Sequence, residues 1–153
     1  MKYRCFYETS LGMIGLEEEF HTIQALYLPG IFPAADAVEK ETALLKKAFR
    51  QLQEYLVGKR KIFDLPLAPQ GTEFQKKVWR ELLKIPYGQT VSYKYIAEKI
   101  GNSRAARAVG MANHRNPIPI FIPCHRVVGA SGNLTGFRGG LEIKQKLLKI
   151  EGG

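Results

Sequence analysis

Cysteine is scarce in this chain: among 153 residues, Cys5 and Cys124 are the only two. Two thiols cannot build a disulfide framework, so a reducing, intracellular and cytoplasmic setting is expected. Long apolar runs are missing too. The longest fall far short of the roughly 20 residues that a membrane helix needs. The opening residues, Met1 to Glu8, show no secretory apolar segment. No membrane partner is expected. No internal repeat or low-complexity stretch is visible, which excludes a repeat architecture.

Acidic residues are scarce in one half only. Residues 1–66 carry 9 Lys+Arg and 9 Asp+Glu and sum to zero. Residues 67–153 carry the remaining 14 Lys+Arg and 5 Asp+Glu, so the whole net charge of +9 lies there. A basic half points to a polyanionic partner, most simply nucleic acid. The alternative is a merely basic domain. The hydrophobic content of 45% is ordinary for a globular chain, and the length suits one domain or two small ones.

The chain reads as an α+β protein. Tyr3–Tyr7, Leu11–Leu16 and Ile23–Leu28 have strand character and would form a short antiparallel sheet. From Ala34 to Leu56 the apolar spacing becomes helical, through Val38, Leu44, Leu45, Ala48, Phe49, Leu52, Tyr55 and Leu56. Gly58 ends that helix. Lys59-Arg60-Lys61 reads as a solvated charge run. The Pro- and Gly-containing stretch Leu65–Gly71 reads as a linker. Thr72-Glu73-Phe74-Gln75 fits a capping box opening a helix with Val78, Trp79, Leu82 and Leu83 on its apolar face. Ser92 caps a short helix, Tyr93–Ile100. Gly101-Asn102 turns the chain, and Ser103 caps a third helix to about His114. Helix, glycine turn, helix is the helix-turn-helix arrangement, here in a mainly helical, winged-helix-like second half.

The third helix is thin, because Ala105, Ala106, Ala108, Gly110 and Ala112 are small. Arg104 and Arg107 are three apart and should share a face. A thin face bearing two arginines suits a narrow DNA groove. Asn116-Pro117 breaks the helix. A Gly-rich loop runs from Gly129 to Gly140. Its spacing does not fit a nucleotide-binding loop, and a loop wrapping a pocket is the reading taken. Leu141 to about Ile150 forms a last helix, with Glu151 at its end.

The most informative stretch is Ile122-Pro123-Cys124-His125-Arg126-Val127-Val128. It ends the apolar run Ile118–Ile122 on a cysteine, with a histidine and an arginine directly behind. Only the thiolate is strongly nucleophilic, and cationic neighbours favour it. Cys124 is therefore a candidate nucleophile. The ordinary alternative is an inert core cysteine.

With Arg107-Ala108-Val109-Gly110 and Asn116-Pro117 before it and Leu134–Gly140 after it, this stretch resembles the O6-alkylguanine-DNA alkyltransferases. The resemblance is close over about residues 70–151 and loose over the first 65. It implies an N-terminal α/β, ribonuclease H-like domain (1–66) and a C-terminal DNA-binding and alkyl-transfer domain (67–153). The implied activity is single-turnover DNA repair. The alkyl group of O6-alkylguanine, and also of O4-alkylthymine, passes irreversibly to the protein after nucleotide flipping. Position by position, Cys124 matches the nucleophile and His125 the base, which in the family acts through a water. Adjacent strand residues point to opposite faces, so a direct bond between the two would be awkward. Glu151 matches the carboxylate that orients the histidine. Asn116 matches the hinge asparagine, and Tyr93 the tyrosine that rotates the nucleotide and bonds the purine. Arg107 matches the arginine that fills the emptied stack. Ala105, Ala106, Ala112 and Arg104 would line the DNA face. Main-chain groups at Cys124, Val127, Phe137 and Arg138 would form the guanine pocket.

The implied partner is double-stranded DNA, met through its minor groove by a monomer, with no cofactor. Some relatives hold zinc through two cysteines and two histidines. Here Cys5 and His21 are the only such residues before residue 114, so no metal is expected. Two other readings stay open at this point. One is a cysteine hydrolase using Cys124, His125 and Glu151. The other is a DNA-binding regulator that leaves Cys124 idle.

Overall fold

The computed structural model describes residues 1–130, 132, 137 and 139–152. Strands β1 (Tyr3–Thr9), β2 (Gly12–Glu19) and β3 (Thr22–Tyr27) form an antiparallel meander. At the β2–β3 hairpin tip, Phe20 and His21 both take positive φ, 56° and 59°. That is the left-handed pair that a tight two-residue hairpin requires. The inner face of the sheet buries Ile14, Leu16, Ile23 and Leu26.

Helix α1 (Ala43–Leu56) covers that face, capped by the Thr42 hydroxyl, which accepts from Leu45 N–H. Its buried residues, Leu45, Ala48, Leu52 and Tyr55, recur at three- and four-residue intervals, the stripe a packed helix presents. The helical reading from Ala34 is corrected. Residues Val38–Glu39 form β4, which pairs in parallel with β1 at Tyr3 and Arg4 and gives the order β3-β2-β1-β4. Val38 N–H donates to Lys2 O, a long-range bond that outweighs local helical spacing. The expected linker is also more ordered than its Pro and Gly content suggested. Ile23 N–H donates to Pro66 O and Ala68 N–H to Ile23 O, so the segment runs along β3.

Helix α2 (Glu73–Leu82) has the full capping box, Thr72 with Gln75. Val78, Trp79 and Leu82 are buried, and Leu83, at the C-cap, is exposed. Strand β5 (Val91–Ser92) pairs in parallel with β6 (Val127–Val128). Ser92 then caps α3 (Tyr93–Lys99). Helix α4 (Ala106–His114) packs on α2 and α3 to complete the helix-turn-helix.

Ser103 does not cap α4. The helix starts at Ala106, and the preceding turn is held by Asn102, whose carbonyl accepts from Ala105 N–H and whose side chain accepts from Arg104 N–H. Asn102 O takes the Ala105 N–H, one of the donors that a Ser103 cap would have used. Arg104 therefore precedes the helix and does not stack one turn from Arg107. Helix α5 (Leu141–Ile150) closes the chain, with Glu151 as its C-cap. One continuous apolar core links the sheet, α1 and the later helices.

Candidate active site

The run before Cys124 is sharply folded. Ile122 N–H returns to Ile118 O, and Ile120 sits at φ 74°, a strained value for a β-branched residue. Pro123 (φ −79°, ψ 63°) then centres an inverse γ-turn, with Cys124 N–H donating to Ile122 O at 2.7 Å. Asn116, 1% exposed, ties this knot. Its amide donates to Ile122 O at 2.9 Å, and its carbonyl oxygen accepts from Ile118 N–H at 3.0 Å. The amide of Asn113 donates to Cys124 O at 3.3 Å.

Cys124, His125 and Arg126 form a single 3-10 turn, not part of a strand. The expectation that strand alternation separates Cys124 from His125 is thereby corrected. Both residues are buried. No direct hydrogen bond joins the thiol to the imidazole among the described residues.

Glu151 is the hub of the site. Its Oε2 accepts from Tyr55 Oη at 2.5 Å, from His125 Nε2 at 2.7 Å and from Arg126 Nη2 at 3.0 Å. Its Oε1 accepts from Arg126 Nε at 2.8 Å and from Gly88 N–H at 3.1 Å. Burial alone would raise this carboxyl. The hydrogen bonds from His125 and Arg126, with that from Tyr55, overcome it and hold Glu151 well below the usual carboxylate range. An ionised carboxylate has only lone pairs to offer, so His125 must carry its proton on Nε2. Nδ1 is then the basic nitrogen. It is buried and has no partner among the described residues. Burial lowers the His125 pKa, against the pull of Glu151, and keeps the resting ring neutral.

The thiol does not rest as a thiolate. Burial pushes Cys124 up to about 11, opposed first by the Asn116 amide and then by the Lys144 charge. This corrects the expectation that Arg126 supplies the nearby positive charge. Arg126 is spent on Glu151 and on Ile85 O, at 2.7 Å. The cation facing the thiol is Lys144 on α5, fully buried, whose Nζ donates to Val127 O at 2.7 Å.

Cys124, His125, Glu151 and Asn116 thus come together in one buried cluster. Tyr93 and Arg107 lie on the helix-turn-helix. The Tyr93 ring is beside Gly110, close enough that an added Cβ there would touch it at 3.9 Å. Arg107 is exposed on α4 with Ala108 and Met111, and Ala106 is half-buried beside it. Ala105 and Ala112 are corrected as DNA-facing side chains. They pack into the core, and Ala112 O accepts from Trp79 Nε1 at 2.9 Å. Both main-chain groups of Val127 are engaged, its N–H with Cys124 O and its carbonyl with Lys144. Phe137 is buried. Arg138 lies outside the described residues.

Tyr55 and Lys144 were missed as site residues, and Arg126 was expected beside the thiol and not on Glu151. Lys144 had a signal, because it occupies the apolar stripe of α5 with Leu147 and Glu151. Tyr55 had none, since only the tertiary fold brings it to the site. A cavity of about 540 Å³ is lined by Lys61, Phe63, Tyr87, Phe121, Pro123 and Arg126, and Cys124 does not line it. Among the described residues, no group of three His, Cys, Asp or Glu could hold a metal ion, and no helix is long and apolar enough to cross a membrane.

Comparison with known proteins adds independent findings. The family described as 6-O-methylguanine DNA methyltransferase, DNA binding domain, matches residues 73–153. The companion ribonuclease-like domain of that family matches residues 2–69. A methylated-DNA–protein-cysteine methyltransferase of Methanosarcina acetivorans is 47% identical over 98% of this chain and 98% of its own length. A constitutive enzyme of the same name from Bacillus subtilis is 47% identical, covering 99% of this chain and 96% of its own. The crystal structure of Mycobacterium tuberculosis OGT in complex with DNA superposes with a TM-score of 0.92 at 40% identity, over 97% of this chain and 92% of that one.

Proposed function

Because this chain belongs to the 6-O-methylguanine DNA methyltransferase family, we propose that Cys124 Sγ receives the alkyl group when the protein repairs DNA. The observation that carries this reading is the buried sequence of Cys124, a neutral His125 whose Nε2 is fixed by Glu151, and an unpartnered Nδ1. Residues 67–153 act as the DNA-binding and alkyl-transfer domain, and residues 1–66 as the ribonuclease H-like domain.

The steps follow from the groups in place. The O6 substituent lies inside the duplex, so the nucleotide must be flipped, at a cost of a few kcal/mol. The basic half offsets this through phosphate contacts in the minor groove, with the protein acting as a monomer. Arg107 enters the emptied stack. Tyr93 turns and then bonds the purine, Arg104 and Ala106 lie against the DNA, and Phe137 frames the pocket. His125 Nδ1 takes the thiol proton through a bridging water, and Glu151 balances the imidazolium that forms. Lys144 favours the nascent thiolate. The sulfur attacks the alkyl carbon in line: the C–S bond forms as the C–O6 bond breaks, and Tyr93 protonates the departing guanine. The Tyr93 phenolate is reprotonated from solvent, to which His125 returns the thiol proton. O4-alkylthymine reacts by the same displacement. The product is a thioether, and no group among the described residues is placed to cleave one, so each chain acts once. No cofactor is required. A free thiol, which needs a reducing setting, and a DNA substrate support a cytoplasmic location at the nucleoid.

Peptide mapping after exposure to duplex O6-methylguanine DNA tests the assignment. The methyl group is expected on Cys124 and not on Cys5. Cys124→Ala should lose transfer and keep DNA binding. Methyl found on Cys5, or transfer surviving in Cys124→Ala, would remove Cys124 from the role.

A further inference from the structure

Tyr55 lies on α1, in the N-terminal half, 70 residues from His125 and 96 from Glu151. It is fully buried. Its hydroxyl donates its only proton to Glu151 Oε2 at 2.5 Å, and its oxygen stands 3.4 Å from His125 Nε2. The Nε2 proton goes chiefly to Glu151, at 2.7 Å, which leaves the Tyr55 oxygen as a second acceptor facing the ring. One side chain therefore touches both members of the pair that prepares the base. Its ring is held against Phe63, at 5.4 Å between centroids, and edge-on to Tyr87 at 6.2 Å, so the hydroxyl is fixed in place.

We infer that Tyr55 is a positioning residue of the thiol-activating relay, supplied by the N-terminal half to a reaction carried out in the other. The inference rests on the reading of His125 as the base for Cys124. By donating to Oε2, Tyr55 keeps Glu151 from rotating and limits how strongly the carboxylate attracts a proton onto His125. The charged and polar groups acting on His125 are Glu151 and Lys144 from the α5 region, Arg126 from its own turn, and Tyr55 from α1. Of these, only Tyr55 comes from the N-terminal half. This gives the sheet domain a chemical task in addition to its packing role.

Tyr55→Phe removes the hydroxyl and keeps both ring contacts, and Glu151 retains its bonds to His125 and Arg126. Transfer from duplex O6-methylguanine DNA is to be followed across pH for the wild type and the variant, with DNA affinity measured alongside. We expect unchanged affinity and a transfer rate about tenfold lower near neutrality, the scale on which outer hydrogen-bond partners act. The acid limb of the rate profile should move to higher pH, because an unrestrained Glu151 holds the imidazolium more strongly. An equal fall at every pH, or no change, would overturn the positioning role. A wild type that transfers nothing to Cys124 would instead overturn the underlying mechanism. The wild type supplies a further check that needs no variant. Its spectrum should contain a slowly exchanging Tyr55 hydroxyl proton with a nuclear Overhauser contact to the His125 Nε2 proton. Absence of that resonance, with the Nε2 proton visible, also rejects the proposal.

Discussion

At Glu151, five hydrogen bonds converge on one buried carboxylate, and they determine the state of every neighbour. The charge is affordable only because Arg126 and His125 bring donors to it; breaking a buried pair of this kind costs about 3–5 kcal/mol. The consequence for acid stability has a definite sign. Glu151 titrates lower in the folded chain than in the unfolded one. Its contribution is present above the ordinary glutamate value and is lost as pH falls towards the folded value. His125, buried neutral, is also lowered. The unfolded chain binds that proton more readily, so this contribution too fades as pH drops below the ordinary histidine value. Urea midpoints should therefore fall from about pH 7 on account of His125, and further below about pH 4.5 on account of Glu151. Glu151→Gln should be less stable at neutrality and show a flatter profile below about pH 4.5. A wild-type midpoint that does not fall further below about pH 4.5 would mean that Glu151 is not held as the structure places it.

Helix α4 shows at the scale of an element how binding and stability can oppose each other. Gly110 stands in its interior, where an alanine would be favoured by about 0.5–1 kcal/mol. A Cβ there would meet the Tyr93 ring only at ordinary contact distance, 3.9 Å. Gly110→Ala should accordingly raise thermal stability. It should also slow transfer from duplex DNA, because it thickens the face that carries Arg107. Higher stability with an unchanged duplex rate would show that the thinness of α4 at Gly110 has no role in binding. Arg107→Ala should slow transfer from duplex DNA while barely affecting reaction with free O6-benzylguanine, which needs no flipping. Equal losses on both substrates would assign Arg107 to the pocket or the fold.

The same elements show what could be read from sequence. The capping box at Thr72 and the cap at Ser92 were legible because their bonds span three residues. The start of α1 and the start of α4 were not. A parallel pairing with β1 claims Val38–Glu39, and an Asn102 turn claims the residues before Ala106. The Pro-Cys-His-Arg motif located Cys124 and His125. It could not say which way Arg126 would turn, nor that Lys144 would face the thiol in its place.

Across the whole molecule, the neutral half and the basic half share one core, and the relay draws on both: Tyr55 from α1, His125 and Arg126 from the Cys124 turn, and Glu151 from the end of α5. In the proposed mechanism this assembly prepares the Cys124 thiol for one attack, and among the described residues no group is placed to undo a thioether. The most direct test is a titration of the purified protein with excess O6-methylguanine duplex, followed by intact-mass measurement over time. One methyl group per chain is expected, with repair stopping once every chain carries it. Continued repair beyond one equivalent, with the protein mass unchanged, would contradict the account.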